Sequence, residues 1–261
     1  MTQLQGSWIW YELMTTDATG AKAFYDRVVG WNISAQSDSP DMDYRMIANN
    51  DGGMTGGVFQ LNQEMLDGGA RPAWLGYIGV DNCDAAVTDI TAKGGQVMMP
   101  AGDIAGAGRI AMVTDPDGAP FYVMTPHMPE DGGESTAFSE TLLGRCGWNE
   151  LMAGNAAAAQ DFYTSMFNWT LPDAMDMGPM GKYQFIAHDG TTVGGIMQKM
   201  PEMPVACWNH YFLVASIEVA MAAVNQGGGK IINGPMQVPG GQWVINGIDP
   251  QGAMFSLVGG K

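Results

Sequence analysis

Trp10-Tyr11-Glu12-Leu13-Met14, near the start of the chain, returns as Trp148-Asn149-Glu150-Leu151-Met152 near its middle. The offset is 138 residues. It also pairs Phe24-Tyr25 with Phe162-Tyr163, Trp31 with Trp169, Gly56-Gly57 with Gly194-Gly195, and Gln60 with Gln198. Further on the offset falls to 134, and pairs Trp74 with Trp208, Tyr77 with Tyr211, Gly94-Gly95 with Gly228-Gly229, Asp115-Pro116 with Asp249-Pro250, and Phe121 with Phe255. Matches kept in one order, with one small slip, mark an internal duplication. Residues 128–143, rich in Pro, Gly, Ser and acidic side chains, read as the linker. The expected domains are therefore 6–127 and 144–259.

Within one repeat, residues 8–14 mix aromatic and aliphatic side chains and read as a strand. Thr16-Asp17 is a helix N-cap signal. Ala18, Ala21, Tyr25 and Val28 follow at helical spacing, and Gly30 stops the helix. Trp31 opens an extended stretch. Residues 44–48 and 58–61 are further strands about the turn Asp51-Gly52-Gly53. The same order then recurs: a strand at 75–80, a helix at 84–93 closed by Gly94-Gly95, and strands at 96–99, 108–114 and 120–125. The last two flank the turn Asp115-Pro116-Asp117-Gly118. Each repeat reads as two βαβββ modules, four in all, which makes the chain an α+β protein.

Composition narrows the function. The 261 residues are 46% hydrophobic and only 15% charged, with 37 glycines, which suits short strands and tight turns around a sizeable core. The 27 acidic and 11 basic side chains leave a formal charge of −16. No basic patch is available to neutralise phosphates, which excludes nucleic acid and disfavours anionic membranes. No apolar run reaches the length of a membrane span, and Met1–Ser7 lacks the basic and apolar parts of a secretory signal. Cys83, Cys146 and Cys207 are odd in number and far apart, so neither a disulfide framework nor a zinc site follows. Reduced thiols fit a cytoplasmic protein. The 22 methionines fill core gaps or line an adaptable pocket.

The ordered set of motifs resembles the vicinal oxygen chelate superfamily, which includes glyoxalases, bleomycin- and fosfomycin-resistance proteins and extradiol dioxygenases. The residues that carry the likeness are Asp17, Ala21–Tyr25, Gly30-Trp31, Val80-Asp81-Asn82, Ala92–Gly95 and Asp115–Gly118. In the second repeat they are Phe162-Tyr163, Trp169, Gly227–Gly229 and Asp249–Gly252. Among its members the chain looks most like the duplicated, glyoxalase-like bacterial proteins. The resemblance implies two glyoxalase-like domains, each a pair of βαβββ modules whose curved mixed sheets form a cup. In the superfamily's enzymes a divalent metal in that cup chelates two neighbouring substrate oxygens and stabilises the resulting anion.

Carried over one position at a time, the superfamily's metal-ligand positions fall near Trp10, Gln60, Leu75 and Tyr122 in the first repeat. In the second they fall near Trp148, Gln198, Asn209 and Ser256. None is His or a carboxylate, the usual donors. No cofactor is therefore expected, with a divalent metal held by non-standard ligands (Glu12, Glu150 or His210) as the alternative. By alternation His210 points away from the cup.

Glu12 and Glu150, two residues beyond the first ligand position, point into the cup and are candidate general bases or ligand anchors. The competing reading makes each a structural carboxyl bonded to backbone or a tyrosine. Trp10, Gln60, Trp74, Tyr77 and Tyr122 would line the first cup; Trp148, Gln198, Trp208 and Tyr211 would line the second. Each aromatic is equally at home in a core. No nucleotide, metalloprotease or serine-hydrolase motif is present.

Two functions compete. One is a binding protein that holds a small organic molecule in each cup, as resistance proteins do. The other is a lyase, isomerase or dioxygenase with non-standard metal ligands or glutamate bases. A third arrangement makes one cup a scaffold. A monomer or homodimer is compatible with all three.

Overall fold

The computed structural model describes residues 4–37, 39, 42–127 and 135–261. Local sequence signals set the element boundaries. The four longer helices each begin after a side chain that accepts a backbone N–H three residues on: Asp17 from Gly20, Asn82 from Ala85, Asn155 from Ala158, Ser216 from Val219. The first repeat runs β1 (Trp8–Thr15), α1 (Ala18–Val28), β2 (Asn32–Ile33), β3 (Tyr44–Ala48), β4 (Met54–Gln60), α2 (Gln63–Asp67), β5 (Ala73–Gly79), α3 (Cys83–Ala92), β6 (Gln96–Ile104), β7 (Gly108–Thr114) and β8 (Pro120–Pro126). The second runs β9 (Cys146–Ala153), α4 (Ala156–Phe167), β10 (Ala174–Asp176), β11 (Lys182–His188), β12 (Thr191–Gln198), β13 (Cys207–Ser216), α5 (Ile217–Gln226), β14 (Lys230–Gln237), β15 (Trp243–Ile248) and β16 (Met254–Gly260).

The expected α+β architecture of βαβββ modules is present. Two mixed eight-stranded sheets form, in the orders β2-β3-β4-β1-β5-β8-β7-β6 and β10-β11-β12-β9-β13-β16-β15-β14. The first and last strands of each module pair in parallel, while β2–β3, β3–β4, β6–β7 and β7–β8, and their counterparts β10–β11, β11–β12, β14–β15 and β15–β16, pair antiparallel. The short α2 has no counterpart in the sequence reading. β6 runs past 99 to Ile104, because it is mostly exposed and carries no alternation to reveal its length. None of the described helices is long and apolar enough to cross a membrane.

The hydrophobic cores follow a different division from the sheets. One compact unit comprises residues 10–75, 135–147 and 209–261, and so combines the first and fourth modules. The other holds the described residues of 4–9, 76–127 and 148–208, the second and third modules. Each sheet is built from one repeat, β1–β8 or β9–β16, whereas each core takes one module from each repeat.

In the first unit α1 packs against α5. The Trp74 indole N–H donates to the Tyr25 hydroxyl at 3.0 Å, and that hydroxyl donates to Asp249 Oδ2 at 3.0 Å. Asp249 Oδ1 meanwhile accepts from the backbone N–H groups of Gln251 and Ala253, which shapes the Asp-Pro turn before β16. Burial, with the Asp249 charge second, holds the Tyr25 phenol well above its ordinary pKa, so it keeps its proton and remains a donor. In the second unit α3 packs against α4. There the same relay is built from Trp208, Tyr163 and Asp115, at 2.9 and 3.2 Å.

A second contact joins the repeats in the same way. Trp31 donates its indole N–H to the Gly144 carbonyl at 2.7 Å in one unit. Trp169 donates to the Gly6 carbonyl at 2.8 Å in the other. Both glycines have positive φ, 75° and 97°, a conformation that favours glycine. This corrects the linker reading over 135–143. Ala137 is buried, Phe138 bridges Cys146, and the neighbouring Arg145 is buried in an ion pair with Asp51 at 2.8 Å. Residues 128–134 lie outside the described residues.

Replacing Tyr25 by Phe leaves the Trp74 donor and an Asp249 acceptor buried without their shared partner. The expected cost is about 2 kcal/mol, or a Tm lower by roughly 4–8 °C in a chain of this size. Calorimetry of the Tyr25→Phe variant checks it, and an unchanged Tm would contradict it.

Candidate functional site

Strand alternation sorts β1 into two faces. Tyr11 and Leu13 are fully buried, and Tyr11 packs edge-on against His210 and Phe212, with ring centroids 5.0 and 5.8 Å away. Trp10 and Glu12 therefore stand on the opposite face. β4 lies beside β1 with Gly57 opposite Glu12, and β3 lies beyond it with Met46 opposite Gly57. Tyr44, two residues from Met46, lays its ring across Gly57, where an added Cβ would come within 2.3 Å of the ring. The glycine thus opens a path from β3 to β1. The Tyr44 hydroxyl accepts the Trp10 indole N–H at 2.8 Å and donates to the Glu12 carboxylate. Burial, and then the Glu12 charge, raise the Tyr44 pKa well above 10, so the phenol stays protonated.

The other unit repeats the construction. Trp148 donates to the Tyr183 hydroxyl at 2.7 Å, and Tyr183 donates to Glu150 Oε2 at 3.0 Å. Tyr183 lies over Gly195, where a Cβ would come within 2.1 Å of its ring. Phe185 adds an edge-on contact to Trp148 at 6.0 Å. Cys207 is half-buried near Glu150, and its thiol pKa is pushed up to about 11, by burial first and the Glu150 charge second. Each repeat therefore carries an indole–phenol–carboxylate triad, with Trp10, Trp148 and Glu150 half-buried and Glu12 buried.

The remaining candidates divide. Tyr77 and Tyr122 face one another in register on β5 and β8, stacked with centroids 4.2 Å apart. Tyr211 accepts from Asn246 Nδ2 at 3.2 Å. Trp74 and Trp208 are corrected to core residues: both are buried, and their indoles serve the Trp–Tyr–Asp relays. The strand phase explains this, since Trp74 packs 4.7 Å from Phe212 and Trp208 packs 5.0 Å from Trp8.

Gln60 and Gln198 close corners instead of reaching for a ligand. Gln60 accepts from Ala18 N at 2.7 Å and donates to the Thr16 carbonyl, while Gln198 accepts from Ala156 N and donates to the Gly154 carbonyl. Each thereby ties the end of its module's last strand to the entrance of that module's helix. His210 is buried beside Tyr11 as its phase requires, and desolvation lowers its pKa to about 3, which leaves it neutral.

Tyr44 and Tyr183 went unread in the sequence because they stand 139 residues apart, one off the offset of their neighbours. The repeated Gly-Gly pairs were the available signal.

The superfamily's metal does not fit the donors here. The ligand positions hold Trp, Gln, Leu, Tyr, Asn and Ser, none of them the His or carboxylate donors such an ion takes. Among the described residues no three His, Cys, Asp or Glu side chains gather closely enough to hold an ion.

Residues 9–123 match the model of the Glyoxalase/Bleomycin resistance protein/Dioxygenase superfamily. A Mycobacterium bovis protein named "Putative glyoxylase CFP32" is 32% identical over 258 residues, covering 97% of this chain and 95% of that protein. The Streptomyces peucetius "Anthracycline biosynthesis protein DnrV" is 29% identical over 97% of this chain and 93% of its own length. The crystal structure of a Mn(II)-bound glyoxalase from Novosphingobium aromaticivorans shares the fold, with a TM-score of 0.64 at 16% identity, covering 99% of this chain and 83% of that one.

Two outcomes follow from the triads. Gly57→Ala should displace the Tyr44 ring at a cost of about 2 kcal/mol, and Tyr44→Ala in the same chain should recover part of it. Additive losses in denaturant titrations would contradict the proposed steric role. Peptide-resolved alkylation of Cys207 should titrate near pH 11. Glu150→Gln removes a nearby negative charge and should move that midpoint down; an upward shift would contradict the placement of Glu150.

Proposed function

Because this chain belongs to the glyoxalase/bleomycin resistance protein/dioxygenase superfamily, we propose that it binds small, planar, hydroxylated organic molecules at the indole–phenol–carboxylate triad of each repeat, without the superfamily's His/Glu chelate. The observation that carries this reading is the recurrence of the whole triad, glycine included, in both repeats. Each half-buried tryptophan supplies an apolar face for a flat ring. A carboxylate has room for about four hydrogen bonds, so the tyrosine bond leaves acceptor capacity for a ligand hydroxyl. The tyrosine holds the carboxylate in one orientation, which lowers the entropy lost on binding.

Two further facts support the ligand class. A net charge of −16 disfavours anionic ligands and leaves neutral phenols acceptable. A relative named for anthracycline biosynthesis points toward polycyclic, hydroxylated aromatics. None of the described cysteines forms a disulfide, in keeping with a reducing compartment.

Titration of the full chain with 2,3-dihydroxynaphthalene, followed by tryptophan fluorescence, tests the proposal. Saturable binding is expected, weakened about tenfold when Glu12→Gln and Glu150→Gln are combined. Binding that is unchanged in the double variant would remove the triads from the site.

A further inference from the structure

Two Asn-Gly pairs occur in the chain, Asn233-Gly234 and Asn246-Gly247, and the fold brings them together. Asn233 on β14 pairs in register with Asn246 on β15, and Asn233 Nδ2 donates to Asn246 Oδ1 at 3.0 Å. At the offset of 134 the first repeat has Met99-Pro100 and Met112-Val113 in these places, so the pairs belong to the second repeat alone. An asparagine followed by glycine is open to attack by its own backbone, because the glycine has no Cβ to block the approach.

The surroundings of the two pairs are opposite. β15 lies between β14 and β16, so Asn246 and Gly247 have ladder partners on both sides: Asn233 and Ile231 on one, Ser256 and Phe255 on the other. Gly247 is buried, and Asn246 Nδ2 donates to Ser256 Oγ at 2.8 Å and to Tyr211 Oη at 3.2 Å. β14 is the last strand of its sheet, with a partner on one side only. Asn233, Gly234 and the three residues after them are exposed. Register shifts fall on either side of Asn233, so the ladder is interrupted beside the Gly234 nitrogen. Gly234 sits at a φ of 92°, outside the extended region. An edge segment of this kind opens locally at little cost, whereas the central strand opens only with the sheet.

We propose that Asn233-Gly234 is a self-modifying site, at which the chain turns a neutral amide into a carboxylate with water as the only co-reactant. In the first step the Gly234 backbone nitrogen attacks Asn233 Cγ. A C–N bond forms, the Cγ–Nδ2 bond breaks, and ammonia leaves with the proton that the Gly234 nitrogen gives up. Water then opens the resulting five-membered imide at either carbonyl carbon. Attack at Cγ leaves aspartate at this position. Attack at the backbone carbonyl leaves isoaspartate, with the chain continuing through the former side chain. Nothing is oxidised or reduced.

The neighbouring side chains can absorb the aspartate product. Its carboxylate has no proton to give to Asn246 Oδ1. The Asn246 amide then turns over, so that Nδ2 donates to the new carboxylate and Oδ1 accepts from the Ser256 and Tyr211 hydroxyls, each of which can donate as well as accept. The hydrogen bonds are kept and their direction is reversed. The edge strand gains a negative charge between Ile232 and Met236, two large apolar side chains that it exposes. A charge on an exposed edge opposes pairing with the strands of other chains, so the modification guards the edge as the protein ages.

Incubating the full chain in warm, mildly alkaline buffer made with heavy-oxygen water, followed by peptide mass spectrometry, tests the proposal. In the folded chain heavy oxygen should enter at Asn233 at least about tenfold faster than at Asn246. In concentrated denaturant the two pairs should react at similar rates, which assigns the difference to the fold and not to the sequence. Asn233→Asp should keep a cooperative melt, as reversal of the hydrogen bonds requires. The proposal is overturned if Asn233 stays intact in the folded chain while the unfolded chain is modified, or if Asn246 keeps pace with Asn233 in the folded chain. A chain that cannot fold with Asn233→Asp contradicts it as well.

Discussion

The buried hydrogen-bond relay from tryptophan through tyrosine to aspartate is the constraint on which the rest of the structure depends. Its phenol satisfies both neighbours at once, accepting from Trp74 or Trp208 and donating to Asp249 or Asp115. The aspartate in turn shapes the turn that starts the last strand of a module, through two backbone N–H groups. Because Tyr25 and Asp249 come from different repeats, and Tyr163 and Asp115 likewise, each core closes only when both repeats contribute. A buried polar chain of this kind is costly when incomplete and specifies one pairing of modules when complete.

The outer triads use the same chemistry for another end. In both settings a tyrosine hydroxyl lies between an indole donor and a carboxylate acceptor. The core version is fully enclosed and anchors a turn. The outer version is partly exposed, with its tyrosine threaded over Gly57 or Gly195, and it presents a fixed carboxylate beside an aromatic face.

Much of this was legible in the chain itself. The duplication, the module order and most element boundaries follow from spaced aromatics, N-caps and glycine stops, which are local signals. The glutamates were found because they share a strand face with a repeated tryptophan. Their tyrosine partners were not, because one inserted residue breaks the offset and the contact runs diagonally across strands. Trp74 and Trp208 were misplaced because an aromatic residue gives no hint of which face of a strand is core until the strand's phase is known. The exchange of modules between cores left no local trace at all: it depends on which helix meets which, a long-range choice written into the pairing of Tyr25 with Asp249.

That exchange is the central claim, and it is tested most directly by dividing the chain within 128–134 and producing the two halves separately. Neither half alone should form a folded monomer, since each holds one half of two different cores, and mixing them should restore a single cooperative melt in a one-to-one complex. A half that is monomeric and melts cooperatively alone would contradict it.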